Sequence, residues 1–123
     1  MRLITFCLQV ILISAMAAHT AIDLTGKWVG EVTGQDGKHI ISFVLKTEGD
    51  KVTGTEGRSN GADVPIQDGR LNGNTLTFVV NRNIGDRVLV LDYTGKVAED
   101  KIDFVVKPRG NGWTTQFTVG RQK

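Results

Sequence analysis

Glu56 and Asp92 are the acids whose positions in the chain could bring them to one open end of a folded sheet. Two carboxylates facing each other across a cleft are what glycoside hydrolysis requires, one as acid and the other as base or nucleophile. The competing reading is that each pairs with a neighbouring Lys or Arg at the surface. His39 stands beside Lys38 at the edge of the Gln35-Asp36-Gly37 turn, which suits a surface histidine better than the base of a hydrolase triad. Ser42 and Ser59 have no partner in the sequence, and no G-x-S-x-G occurs. Asp36, Asp50, Asp68 and Asp86 stand singly in Gly- or Asn-containing turns, where aspartate shapes the turn, so none makes a calcium loop. Trp113 follows the loop Arg109-Gly110-Asn111-Gly112 and could stack on a sugar or apolar ligand at a rim. The alternation after it favours Trp113 as the first core residue of the last strand instead. With Tyr93, inward by the same kind of alternation, the ligand-binding candidates are Trp113, Tyr93, Glu56 and Asp92, and no catalytic set is assembled.

The elements that must carry these residues are strands. Runs of four to eight residues rich in Val, Ile, Phe and Thr recur between Gly/Asn/Asp clusters, which is the pattern of an all-β chain. It predicts eight strands, over Gly26–Thr33, Lys38–Thr47, Lys51–Glu56, Ala62–Gln67, Thr75–Asn81, Arg87–Val97, Lys101–Lys107 and Trp113–Arg121. Turns such as Asn72-Gly73 and Ile84-Gly85-Asp86 supply the positive φ of tight hairpins. Connections this short force sequential antiparallel neighbours, because a parallel crossover needs about a dozen residues or more. Such a meander closes into an up-and-down barrel or splits into a sandwich. Closure removes both exposed edges and is the expectation. The template Gly, basic, aliphatic, turn, aliphatic-x-Phe occurs at Gly69–Phe78 and again at Gly95–Phe104, as one hairpin used twice.

Alternation also assigns the faces. Trp28 and Val32, Ile41, Phe43 and Leu45, Leu76, Phe78 and Val80 point inward, as do Leu89, Leu91 and Tyr93, Ile102, Phe104 and Val106, and Trp113, Phe117, Val119 and Arg121. Val52, Ile66, Leu71 and Val97 complete the core. Asp92 is ambiguous, since Val88 and Val90 on its face are apolar too. An eight-stranded barrel is just wide enough to be filled by side chains or to hold one small ligand. So many bulky residues predict a mostly filled interior, with any cavity at one open end.

The chain has 123 residues, enough for one small domain. Arg2 precedes an apolar stretch from Leu3 to Ala18 that ends in Ala15-Met16-Ala17, the pattern of a signal peptide cut after residue 17, with the site uncertain up to 21. Residues 22–123 then form a single secreted or periplasmic β-barrel with no stable membrane span. Cys7 lies within the apolar stretch, so the mature chain is expected to hold no Cys and one His, His39, too few ligands for zinc. The formal charge of +2 is far from the basic excess of a nucleic-acid binder, and no glycine-rich loop leads into a helix to cradle phosphate.

Leu24-Thr25-Gly26-Lys27-Trp28 resembles the opening of calycin barrels, the lipocalin and avidin-like group, with its G-x-W at the start of the first strand. The resemblance implies that Gly26 and Trp28 open a closed barrel and that Arg121, from the final strand, lies across Trp28 and seals its base. A guanidinium on an indole contributes about 0.5–2 kcal/mol. Biotin chemistry does not carry over: Gly30 stands where avidin-like proteins place an Asn, and Gly54-Thr55-Glu56 where they have Gly-Thr-Tyr. The blocks Gly26-Lys27-Trp28, Asp68-Gly69-Arg70-Leu71-Asn72-Gly73 and Tyr93-Thr94-Gly95-Lys96-Val97 are similar to those of small secreted bacterial domains, a likeness that implies architecture and no activity.

The expectation is therefore a non-catalytic barrel without cofactor or metal. It binds a small apolar or sugar-like ligand at one end, or docks on another protein such as an envelope partner. Two alternatives stand beside it, a carbohydrate-active accessory domain or hydrolase using Glu56 and Asp92, and a purely structural envelope module.

Overall fold

The computed structural model describes residues 22–34, 37–59, 61–110 and 112–122; the leader reading falls outside them. Eight antiparallel strands close into one barrel in chain order: β1 (Gly26–Gly34), β2 (Gly37–Glu48), β3 (Lys51–Arg58), β4 (Gly61–Asn72), β5 (Thr75–Ile84), β6 (Arg87–Ala98), β7 (Lys101–Pro108) and β8 (Thr115–Arg121). The sandwich is thereby set aside.

Several boundaries differ from the sequence reading, β3 running on to Arg58 and β5 to Ile84, and two differences have a plain physical reason. β4 does not stop at Gln67. The pairing of β4 with β5 shifts register between Gln67 and Arg70, and Asp68 there adopts φ +55°, so the Asp-Gly pair bends the strand as a bulge and pairing resumes to Asn72. β8 begins at Thr115, two residues after Trp113. The seam between the terminal strands is short, with Trp28 opposite Arg121, Val29 opposite Gly120 and Gly30 opposite Val119. Gly30 permits it, because a Cβ there would lie 2.3 Å from the Thr118 carbonyl oxygen on β8. Gly30 thus allows β8 to lie this close to β1.

Twenty apolar side chains among the described residues are buried in the lumen, including every large apolar residue assigned inward except Leu89 and Trp113. Leu89 is partly buried and packs on the core. Leu24, just before β1, joins the core although no strand pattern marks it. Across the middle of the barrel the rings of Phe43, Phe78, Tyr93, Phe104 and Phe117 lie 4.7–6.4 Å apart, several edge to face. Aromatic pairs in such geometries add roughly 0.5–1.5 kcal/mol each beyond area burial. The interior at that level is occupied by side chains.

Candidate functional site

The meander gives the barrel two unlike ends. At one end lie the start of β1, residue 121 and the hairpins at 48–51, 72–75 and 98–101. Trp28 fills that end, fully buried, and its indole Nε1 donates to the Leu24 carbonyl at 2.9 Å. The Arg121 guanidinium lies over the indole, 4.4 Å from the ring centre. Its Nη1 donates to the Thr25 carbonyl and its Nη2 to the Asp23 carbonyl, both at 3.0 Å, and its Nε to Asp100 Oδ1 at 3.1 Å. Gly26, Trp28 and Arg121 thus meet at this end of the barrel. The segment before β1 is latched as well. Leu24 N–H donates to Thr47 Oγ1 at 2.8 Å, and the Thr47 hydroxyl donates to Asp23 Oδ1 at 2.7 Å. The Thr25 backbone N–H bonded to Asp23, together with the Thr47 hydroxyl, holds the Asp23 carboxyl down from the ordinary 3.8 to about 2.

The opposite end carries the connections at 34–37, 58–61, 84–87 and 108–115. Just inside it lies Glu56, the only buried charged side chain among the described residues, with none of its side chain exposed. Arg82 on β5 holds one carboxylate oxygen twice, Nε to Oε1 at 2.9 Å and Nη2 to Oε1 at 2.5 Å, while its Nη1 donates to the Ala62 carbonyl at 3.1 Å. The Tyr93 hydroxyl donates to the other oxygen, Oε2. Arg58, two residues beyond Glu56 on the same face of β3, places Nε 3.6 Å from Oε1 and Nη2 3.4 Å from the Tyr93 oxygen. Burial, and then the Glu56 charge, push the Tyr93 phenol well above its ordinary range, so it stays a donor. Burial also works against the Arg58 charge, but Glu56 and the Tyr93 contact outweigh it and hold the guanidinium protonated beyond its usual range. The cluster contains one carboxylate and two guanidinia, and it caps the aromatic layer through Tyr93.

The structure thus brings Glu56 and Tyr93 together and separates Asp92 and Trp113 from them. Glu56 is not a surface ion pair, because its inward parity on β3 sinks it below the rim. Asp92 faces outward, 44% exposed, and pairs with Arg109 across the wall, with Oδ1 2.5 Å from Nη2 and Oδ2 3.2 Å from Nε. The Arg109 side chain lowers its carboxyl below the ordinary value. Glu56 and Asp92 therefore sit on opposite faces of the sheet and form no pair across a cleft. Trp113 does not open the core stripe. It precedes β8 and is 45% exposed, since the 108–115 connection carries it out over the rim. There it borders a recess of about 320 Å³ with Ile84, Arg87, Val88 and Leu89. A second recess of about 360 Å³ is bounded by Arg58, Gly61, Ala62, Val64, Arg82 and Asn83. The two are neighbours in the wall, for Asn83 pairs with Val88, and Ile84 follows Asn83. Among the described residues no three of His, Cys, Asp and Glu come together as metal ligands could.

Arg58 and Arg82 were not marked by the sequence reading, which ends β3 at Glu56 and β5 at Asn81. Carrying the alternation one step further, Glu56 to Arg58 and Val80 to Arg82, would have found them.

No family model matches the chain, and no curated protein matches it. Among solved structures it is similar to a REP1-NXSQ fatty acid transporter, with a TM-score of 0.47 and 13% identity over 81% of this chain and 96% of that one. The closed eight-stranded antiparallel meander fits the calycin-like expectation.

Proposed function

We propose that the protein is a non-catalytic barrel that binds a small apolar ligand at the mouth opposite Trp28. One observation carries this reading. Ile84, Val88 and Trp113, each about half exposed or more, surround one recess at the mouth, with Leu89 packed beneath. Isolated exposed apolar residues need no explanation, but several on one concave surface next to an aromatic ring are the usual makings of a ligand site. A volume of about 320 Å³ is at the small end of such sites, which suits a compact ligand seated in the mouth above a filled lumen. The separation of Glu56 from Asp92 leaves the two-carboxylate hydrolase without its geometry. We further read the protein as secreted or periplasmic, on the strength of the leader-like residues 1–17.

The two tryptophans make the test direct, since Trp28 is buried and Trp113 is not. Titration with 1-hexanol is expected to shift tryptophan emission to the blue, and Trp113→Phe is expected to abolish the shift. Absence of any shift, or a shift that survives in Trp113→Phe, overturns the reading. If hexanol does nothing while the same rim residues cross-link to another envelope protein, the docking alternative takes its place.

A further inference from the structure

We propose that Arg58 is an anion-binding residue at the same mouth, and that the ligand is a small amphiphile with a carboxylate head and an apolar body. The inference rests on the mouth reading above and adds the chemical class of the ligand.

The argument is an inventory of donors and acceptors. Glu56 Oε1 already accepts two bonds from Arg82, and Oε2 accepts the Tyr93 proton. A carboxylate oxygen offers about two lone-pair directions. Arg58 Nε faces Oε1, whose directions are taken. It remains at 3.6 Å, buried and with no hydrogen bond. Arg82, by contrast, has a bond from each of its three nitrogens. The second guanidinium thus exceeds what Glu56 can satisfy, and the cluster of Glu56, Arg58 and Arg82 keeps one surplus positive charge. Nε itself is sealed in, but the surplus positive charge is carried by the whole guanidinium, and an oxyanion reaching the exposed part of Arg58 would make a charge-assisted bond. Space exists for it, because Arg58 is a quarter exposed and borders the 360 Å³ recess. That recess adjoins the apolar one through the Asn83–Val88 pair. A head on Arg58 therefore leaves the body of the same molecule over Ile84, Val88 and Trp113.

The test compares hexanoate with 1-hexanol at neutral pH and low salt, by calorimetry or tryptophan emission, on the full chain. The two share a body and differ in the head. Hexanoate is expected to bind about tenfold tighter than hexanol, and Arg58→Gln is expected to bring it to the hexanol value while hexanol binding stays unchanged. Because Arg58→Gln could unsettle the buried cluster, Arg58→Lys is read in parallel. It keeps the charge and loses the planar fork, so an intermediate preference is expected. Equal affinity of the wild type for both molecules, or a hexanoate preference that survives in Arg58→Gln, overturns the proposal and leaves the apolar site standing. Failure of both molecules to bind overturns the mouth reading itself.

Discussion

Both ends of the barrel set a guanidinium close to an aromatic side chain, yet they use it in opposite ways. At the closed end Arg121 faces main-chain carbonyls and one outer carboxylate, with bonds from all three nitrogens, and covers Trp28. At the open end two guanidinia converge on a single enclosed carboxylate, and Arg58 is left short of partners. The first arrangement is complete and reads as closure. The second is incomplete and lies beside two recesses. Identical side-chain chemistry becomes structural or receptive according to whether its donors are used up inside the chain.

The comparison can be broken by mutation. Trp28→Ala is expected to have the largest effect, a loss of about 3–5 kcal/mol in chemical denaturation, because it empties the plug. Glu56→Gln keeps the shape and removes the charge that two partly buried guanidinia share. It is expected to cost about 3 kcal/mol, within the range for breaking a buried ion pair. If Glu56→Gln is neutral, the open-end cluster contributes no stability, and the contrast between the ends must be redrawn. If Trp28→Ala is mild, the closed end is not the anchor.

Smaller effects separate the ends by pH. Asp23 has a folded pKa of about 2 against an ordinary 3.8, so its contribution is complete above about pH 4 and is lost as pH falls toward 2. Asp23→Asn is expected to flatten stability across that acid window and leave the alkaline side unchanged. Tyr93 is shifted the other way, so its contribution is complete below its ordinary 10 and is lost as pH rises above it. Tyr93→Phe is expected to flatten stability above pH 10 alone. Crossed outcomes, with acid sensitivity following Tyr93 or alkaline sensitivity following Asp23, would dissolve the division.

Much of the fold was legible because side-chain alternation has a period of two and the hairpins are short. Trp28, Phe43, Phe78 and Phe104 declare their face by their neighbours, and Asn72-Gly73 declares its turn. Leu24 was missed and Trp113 misread for a shared reason. Each lies just outside a strand, where parity no longer fixes direction and the path of the loop decides. The site was half legible. Glu56 and Tyr93 could be named from parity; Arg58 and Arg82 lie one step further along the same alternation, past where the strands were ended, and their burial is made tolerable only by a carboxylate on another strand or two residues away. Asp92 was ambiguous between two apolar-looking faces, and Arg109, seventeen residues on, settles it outward.

The most direct measurement is amide chemical-shift mapping with hexanoate. The account predicts changes confined to the mouth, at residues 56–64, 82–89 and 112–115, with the amides around Trp28, Thr47 and Arg121 unmoved. Changes centred on Trp28 and Arg121, or none at saturating hexanoate, would contradict it.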